Sequence, residues 1–346
     1  MAYTTVDNPE LYFQTKLYTG NGGTQSITLD GSENMQPDWV FFKQRTGTPS
    51  SSGSQVYDVV RGATKYLSTH ATNAEATQSN GLTSFDSDGF SIGNTTRING
   101  NTESYVAWNW KAGGSASSNT DGSITSSVSA NTTAGFSIVS YSGASSGGSV
   151  GHGLGVKPDI VLIKCRSATA NWLFTTDIID GSKDYLFLNQ TNAKGDLTTA
   201  LPTSSVFTVS GDDDQGENGK TYIAYCFNSV KGYSKFGSYA GNGNANGTFV
   251  YTGFKPAFVI VKVYAGGTGD WQMYDNKRVG YNDANYRLKP SASSAEATDE
   301  PIDILSNGFK LRNTGGSFNA SGDDYIYMAF AENPFVTSTG IPTTAR

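Results

Sequence analysis

Charge is scarce in this sequence: Asp, Glu, Lys and Arg together make up 16% of its 346 residues, against roughly 25% in ordinary soluble chains. The surface must therefore be built mainly from Ser, Thr, Asn and Gly. Basic clusters are missing as well. With a formal net charge of −6 and a pI near 5.0, the chain lacks the Lys/Arg footprint that neutralises phosphates, so nucleic acid is not an expected partner. No apolar run reaches membrane-spanning length, and no membrane insertion is expected. The start, Met1 to Asn8, has neither the basic nor the apolar region of a signal peptide, which implies synthesis and folding in a cytoplasm. Cysteine is limited to Cys165 and Cys226; each sits beside apolar strand residues and reads as a buried thiol rather than half of a disulfide or metal site.

Histidine is as scarce as cysteine, with only His70 and His152. His152 lies in Val150-Gly151-His152-Gly153-Leu154-Gly155 with no acid nearby in sequence, so a nucleophile, base and orienting acid are not assembled and a turn histidine is the expectation. Paired carboxylates do not recur in any motif-like setting either. The chain is therefore expected not to be an enzyme and to need no cofactor.

What is abundant points to strands. The sequence has 41 Gly, 19 Tyr and 18 Phe, the composition of many short strands joined by tight turns. Self-similarity then emerges three times over. Gln36-Pro37-Asp38-Trp39-Val40-Phe41-Phe42-Lys43 matches Lys157-Pro158-Asp159-Ile160-Val161-Leu162-Ile163-Lys164 and Lys255-Pro256-Ala257-Phe258-Val259-Ile260-Val261-Lys262. Upstream of each stands a Tyr-x-Gly strand end, at Tyr18, Tyr141 and Tyr239. Downstream come Tyr66-Leu67, Tyr185-Leu186 and Tyr286-Arg287-Leu288, with the near-identical stretches Asn73-Ala74-Glu75-Ala76-Thr77 and Ser294-Ala295-Glu296-Ala297-Thr298 after the first and third. Each copy closes with an expected hairpin, Gly89 to Ile92, Val206 to Val209 or Gly308 to Leu311, returning as Tyr105 to Trp110, Tyr222 to Phe227 or Tyr325 to Phe330. Glu10-Leu11-Tyr12-Phe13-Gln14-Thr15 looks like an engineered protease site with its second residue missing, but it runs smoothly into the first copy and reads as coincidence.

The Pro-led segment is apolar on both faces, as a central strand covered on both sides must be. The fold class expected is all-β, with three tandem antiparallel β-sandwich, jelly-roll-like domains. Their boundaries are 1–112, 135–230 and 231–335, with a Gly/Ser/Thr/Asn-rich linker or loosely packed extended arm at 113–134 and a C-terminal tail at 336–346.

Two minor site readings remain. Asp212, Asp214 and Glu217, in the loop from Gly211 to Gly219, are weak calcium candidates, although their spacing departs from an EF-hand and the matching loops lack acids; a solvated hairpin tip is the alternative. Trp172 and Trp271 are weak glycan platforms, since sugars stack on exposed rings; because they recur between copies, packing is the competing reading. Tyr281 to Tyr286 is similarly ambiguous.

Val150 to Gly155, Tyr222 to Phe227, Gly232 to Tyr239, Phe249 to Phe258 and Met328-Ala329-Phe330-Ala331-Glu332-Asn333-Pro334-Phe335 resemble a family of proteins from marine tailed phages, often labelled tail fibre or virion structural protein. The resemblance extends from Leu17-Tyr18-Thr19-Gly20-Asn21-Gly22 to the ending Gly340 to Arg346. It implies a virion location and a structural role in a tail fibre or similar appendage mediating host attachment, or else an architectural capsid decoration, collar or tail part. Implied partners are other virion proteins and a host-surface glycan or protein, with homo-oligomerisation as a trimer. It brings no catalytic residue.

Overall fold

The computed structural model describes residues 4–46 and 53–343; both ends of the expected domain map, 1–3 and 344–346, lie outside the described residues. The chain is nearly all β, 43% strand and 2% helix, in several antiparallel sheets.

One strand arrangement occurs three times. An entry strand (Phe13–Thr19, Phe136–Ser142, Ser234–Ala240) pairs with a return strand (Ser104–Trp110, Thr221–Phe227, Asp324–Pro334). The return strand pairs with a lead strand (Trp39–Gln44, Ile160–Cys165, Phe254–Ala265), which pairs with a flank strand (Ser54–Asp58, Trp172–Thr176, Gln272–Asp275). Register is conserved between copies: Trp39 faces Trp110, Ile160 faces Phe227, and Phe258 faces Phe330. Pro37 and Pro158 stand before their lead strands, while Pro256 lies within one at a register shift, the places where a missing N–H does least harm.

The expected hairpins do not form. Gly89–Ile92 pairs with Gln25–Ile27 and Leu82–Asp86, Val206–Val209 with Gly148–Gly151, and Gly308–Leu311 with Phe249–Tyr251 and Ile302–Leu305, all in second sheets separate from the return strands. The intervening loops are too long for a two-residue turn and are held by a tyrosine clamp. The return-strand tyrosines Tyr105, Tyr222 and Tyr325 stack on Tyr18, Tyr141 and Tyr239 with centroids 5.3, 5.3 and 5.1 Å apart. Each return-strand hydroxyl accepts a loop N–H, from Gly100, Glu217 or Ala320, and donates to a loop carbonyl, of Thr96, Asp213 or Gly316.

Period-two alternation explains why the lead strands are apolar on both faces. In the first copy Val40 and Phe42 pack with Phe90, Ile92 and Leu82 from the second sheet, while Trp39 and Phe41 face the other way. The same split separates Val161 and Ile163 from Ile160 and Leu162, and Val259 and Val261 from Phe258 and Ile260. The residues facing the other way from all three copies form one common core. Around a void of about 40 Å³, side chains including Trp39, Trp110, Leu162, Phe174, Phe258 and Trp271 converge. Three separate interiors were expected; each copy does have one, but the fourth and largest belongs to all three.

The segment 113–134 is not a linker. Ser117–Asn119 and Ser126–Asn131 extend the second copy's sheet, and Val128 enters its core. Ser117–Asn119 is the edge of that sheet, and Ser126–Asn131 is paired on both sides with Ser126, Val128 and Ser129 buried, so even a run of small polar residues is built into the sheet.

Candidate functional site

The residues with the strongest chemistry gather at the seams between copies. Lys43, Lys164 and Lys262 end the three lead-strand motifs and are all buried. Each donates to a backbone carbonyl of the preceding copy: Lys164 Nζ to Thr72 at 2.9 Å, Lys262 Nζ to Thr191 at 2.8 Å, and Lys43 Nζ to Ala292. Second joins to first, third to second and first to third, so the seams close into a ring. Burial lowers these ammonium pKa values to about 7 for Lys43 and about 8 for Lys164 and Lys262.

A clasp lies beside each lysine. Glu75 N donates to the Arg166 carbonyl at 2.8 Å, Glu296 N to that of Arg45 at 3.0 Å, and Lys194 N to that of Tyr264 at 3.0 Å. In two seams the side chains repeat the join as bidentate pairs, Arg166 with Glu75 and Arg45 with Glu296. In the third the charges stay within the second copy. Lys194 Nζ stands among Asp180, Asp184 and Asp196 at 3.0, 2.5 and 2.8 Å.

Those three aspartates are the one set of acidic, His or Cys ligands among the described residues close enough to share a metal ion. The Lys194 ammonium already supplies their positive charge, and its own pKa is raised by the Asp184 and Asp196 hydrogen bonds. Dialysis against EDTA is therefore expected to shift Tm by less than about 1 °C, because the Lys194 ammonium stands where a cation would bind. A fall of several degrees, reversed by calcium, would contradict this.

Deeper in the seams sit two buried acid–base pairs. Asp58 accepts from Arg61 Nε at 2.5 Å and from the Tyr225 hydroxyl of the second copy at 2.7 Å. Asp275 accepts from Arg278 Nε at 2.6 Å and from Trp108 Nε1 of the first copy at 3.1 Å. By strand register the second copy has Thr176 in place of the aspartate, and Ile179 takes the place of the arginine three residues on. The third return strand faces that seam with Met328 rather than a hydrogen-bonding ring.

The calcium candidates do not converge. Asp212 caps its own loop, accepting from Gln215 N at 3.2 Å and Gln215 Nε2 at 2.9 Å, and Asp214 accepts from Asn171 N at 2.6 Å. Glu217 contributes its backbone N–H to the tyrosine clamp. The loop around them is anchored by the buried Gln215 but carries Asp212, Asp213, Asn218 and Gly219 exposed, so it is a solvated tip with a packed base.

Trp172 and Trp271 are fully buried and offer no face to a sugar. Their indoles are seam bolts: Trp172 Nε1 donates to the Ser68 carbonyl at 2.8 Å and Trp271 Nε1 to that of Phe187 at 3.0 Å. In the third seam Ser54 occupies the register position and bonds Thr69, which bonds the Pro290 carbonyl. Trp172→Phe is expected to cost about 1–3 kcal/mol in urea unfolding, through a lost hydrogen bond, an orphaned carbonyl and a small void; Trp271→Phe should cost a similar amount. A change within error for both would remove the bolt role.

His152 is buried in its turn, its Nδ1 accepting from Leu154 N at 3.2 Å, so that Nε2 carries the proton toward the Thr203 carbonyl. Cys165 and Cys226 are buried free thiols in the second copy's own core, as expected. Sequence reasoning missed the seams, although their signal was present: the recurrent lysine and the duplicated Ala-Glu-Ala stretch.

No curated protein matches the chain. A family model described as Domain of unknown function (DUF7483) matches residues 8–334, a span that runs through all three copies and every seam between them, and the chain belongs to that family.

Proposed function

We propose that the chain is a non-enzymatic structural protein of a tailed-phage particle, a tail-fibre or similar surface appendage that mediates host attachment, made in the host cytoplasm and assembled into the virion. We read its fold as three tandem antiparallel β-sandwich units that cannot be separated, because they share a core. The observation that carries the structural role is what the buried charges do. Lys43, Lys164, Lys262, Asp58, Arg61, Asp275 and Arg278 are all engaged across or beside the seams at equivalent positions, the mark of groups selected to hold a body rigid. The phage setting is supported by the sequence resemblance.

A second reading, an architectural capsid decoration, collar or tail part that binds only virion proteins, is favoured by the same ring, since one chain already fills its own core. Immunogold imaging of intact particles separates the two: label at the tail tip supports the appendage, and label over the capsid lattice supports decoration. Purified protein that competes with phage for host cells also supports the first. As a fibre component it is expected to form a homotrimer with three times the 36.7 kDa chain mass in light scattering.

A further inference from the structure

The three copies share one strand arrangement and register, so the places where one departs from the others on its surface are informative. In the second sheet of each copy, Ile27, Val150 and Val250 occupy the same register position, facing Phe90, Phe207 and Phe309. The positions on either side face away from that core. In the first copy they are the exposed Ser26 and Thr28, and in the third the exposed Phe249 and Tyr251; in the second, Ser149 and the buried Gly151 are covered by Ser123 and Asn119. Packing does not require rings there, since the first copy leaves the same positions to solvent as Ser and Thr. Yet Phe249 and Tyr251 are 44% and 53% exposed, and Phe335 nearby is 39% exposed.

Tyr251 and Phe335 line a groove of about 490 Å³, within the roughly 300–1,000 Å³ of small-ligand sites, together with Ser229, Lys231, Lys235 and Thr252. Among the described residues the lining contains two lysines and no carboxylate, in a chain whose net charge is −6. Lys235 Nζ stands 5.2 Å from the Tyr251 ring centroid and donates to the Tyr251 carbonyl at 2.7 Å, which holds ring and ammonium together. Rings, hydroxyls and a local positive field fit a ligand with apolar C–H faces, many hydroxyls and a negative charge.

We infer that this groove binds a short acidic saccharide, with Tyr251 and Phe335 contacting its sugar faces and Lys235 its carboxylate. The site rests on the host-attachment reading for its biological use, but not for its chemistry. It also relocates glycan recognition from the buried tryptophans to a surface unique to the third copy.

Calorimetric titration of the full chain with trigalacturonate, sialyllactose and uncharged lactose tests it. At least one acidic saccharide is expected to bind more tightly than lactose, and to weaken as salt is raised. Tyr251→Thr, which installs the first copy's residue, should reduce that affinity at least tenfold while Tm is unchanged. Lys235→Gln should remove the preference over lactose. Failure of both acidic saccharides to bind at millimolar concentration, equal binding of lactose, or undiminished binding by Tyr251→Thr overturns the inference; so does capture of a phosphopeptide in their place. Host-cell adsorption distinguishes the two levels. Adsorption without saccharide binding sinks the site alone, whereas saccharide binding with no adsorption sinks the attachment reading and leaves the site standing.

Discussion

Asp58→Ala is expected to destabilise the protein by about 3–5 kcal/mol, the cost of stranding one partner of a buried ion pair. The carboxylate takes the Arg61 Nε proton, the Arg61 backbone N–H at 2.9 Å and the Tyr225 hydroxyl, and neither charged side chain reaches solvent. Glu75 remains at 3.4 Å from Arg61 Nη1 but is shared with Arg166, so it cannot replace two charge-assisted bonds. Asp275→Ala should behave alike, with Trp108 as the second orphan. The second copy supplies the control. Its Thr176 and Ile179 occupy the same places without any charge, so the double change Asp58→Thr with Arg61→Ile should cost less than Asp58→Ala alone. Urea unfolding of the three variants decides it. A loss below about 1 kcal/mol for either single aspartate variant, or a double variant at least as costly as Asp58→Ala, would show that the pair is not holding the seam.

How much of this was legible in the sequence follows from what each residue depends on. The Pro-led strands were readable because Val40, Val161 and Val259 alternate with Trp39, Ile160 and Phe258 over neighbouring positions, and both faces of such a strand must be covered. The identity of the cover was not readable. Trp39 and Phe258 look like any strand residues, and only tertiary placement brings them, with Ile160, into one shared core. The false hairpins came from treating the Asn- and Gly-rich loop before Tyr105 as a simple turn, when the tyrosine clamp gives it a structural job and carries the chain from one sheet to the other. Trp172 and Trp271 were correctly suspected of packing because they recur, yet what they bolt, the carbonyls of Ser68 and Phe187, lies 104 and 84 residues away in sequence. The Tyr251 surface escaped notice for the opposite reason: it does not recur, and a search for repeats passes over what is unique.

The ring of lysines gives the protein an unusual pH profile, and the sign can be worked out. Unfolded, each lysine keeps its proton up to about pH 10.4; folded, burial lowers Lys43 to about 7 and Lys164 and Lys262 to about 8. Between these values the unfolded chain binds more protons than the folded one, so stability rises with pH, by up to about 1.4 kcal/mol per pH unit for each lysine that is neutral in the fold. The carbonyls of Thr72, Ala170, Thr191 and Gly269 solvate the charged ammoniums and temper the gain. Burial also lowers the His152 pKa, whose protonation belongs below pH 6.5, whereas Lys183, lowered by burial to about 8, adds to the rise in the same window. The rise ends where groups of the other kind begin to ionise in the unfolded chain. Cys226, whose thiol burial pushes up to about 12, and the clamped tyrosines such as Tyr18 and Tyr141 hold their protons in the fold, so stability falls again above about pH 9–10. Tm is thus expected to be about 2–5 °C higher at pH 9 than at pH 7. Replacing Lys164 or Lys262 by Met should lower Tm at pH 9, where two carbonyls lose their donor, and should flatten the slope below it. A Tm that is level or falling between pH 7 and 9, with the same slope in both variants, would mean that these lysines stay charged in the seams. The ring would then be closed by three ammonium ions rather than by three amines.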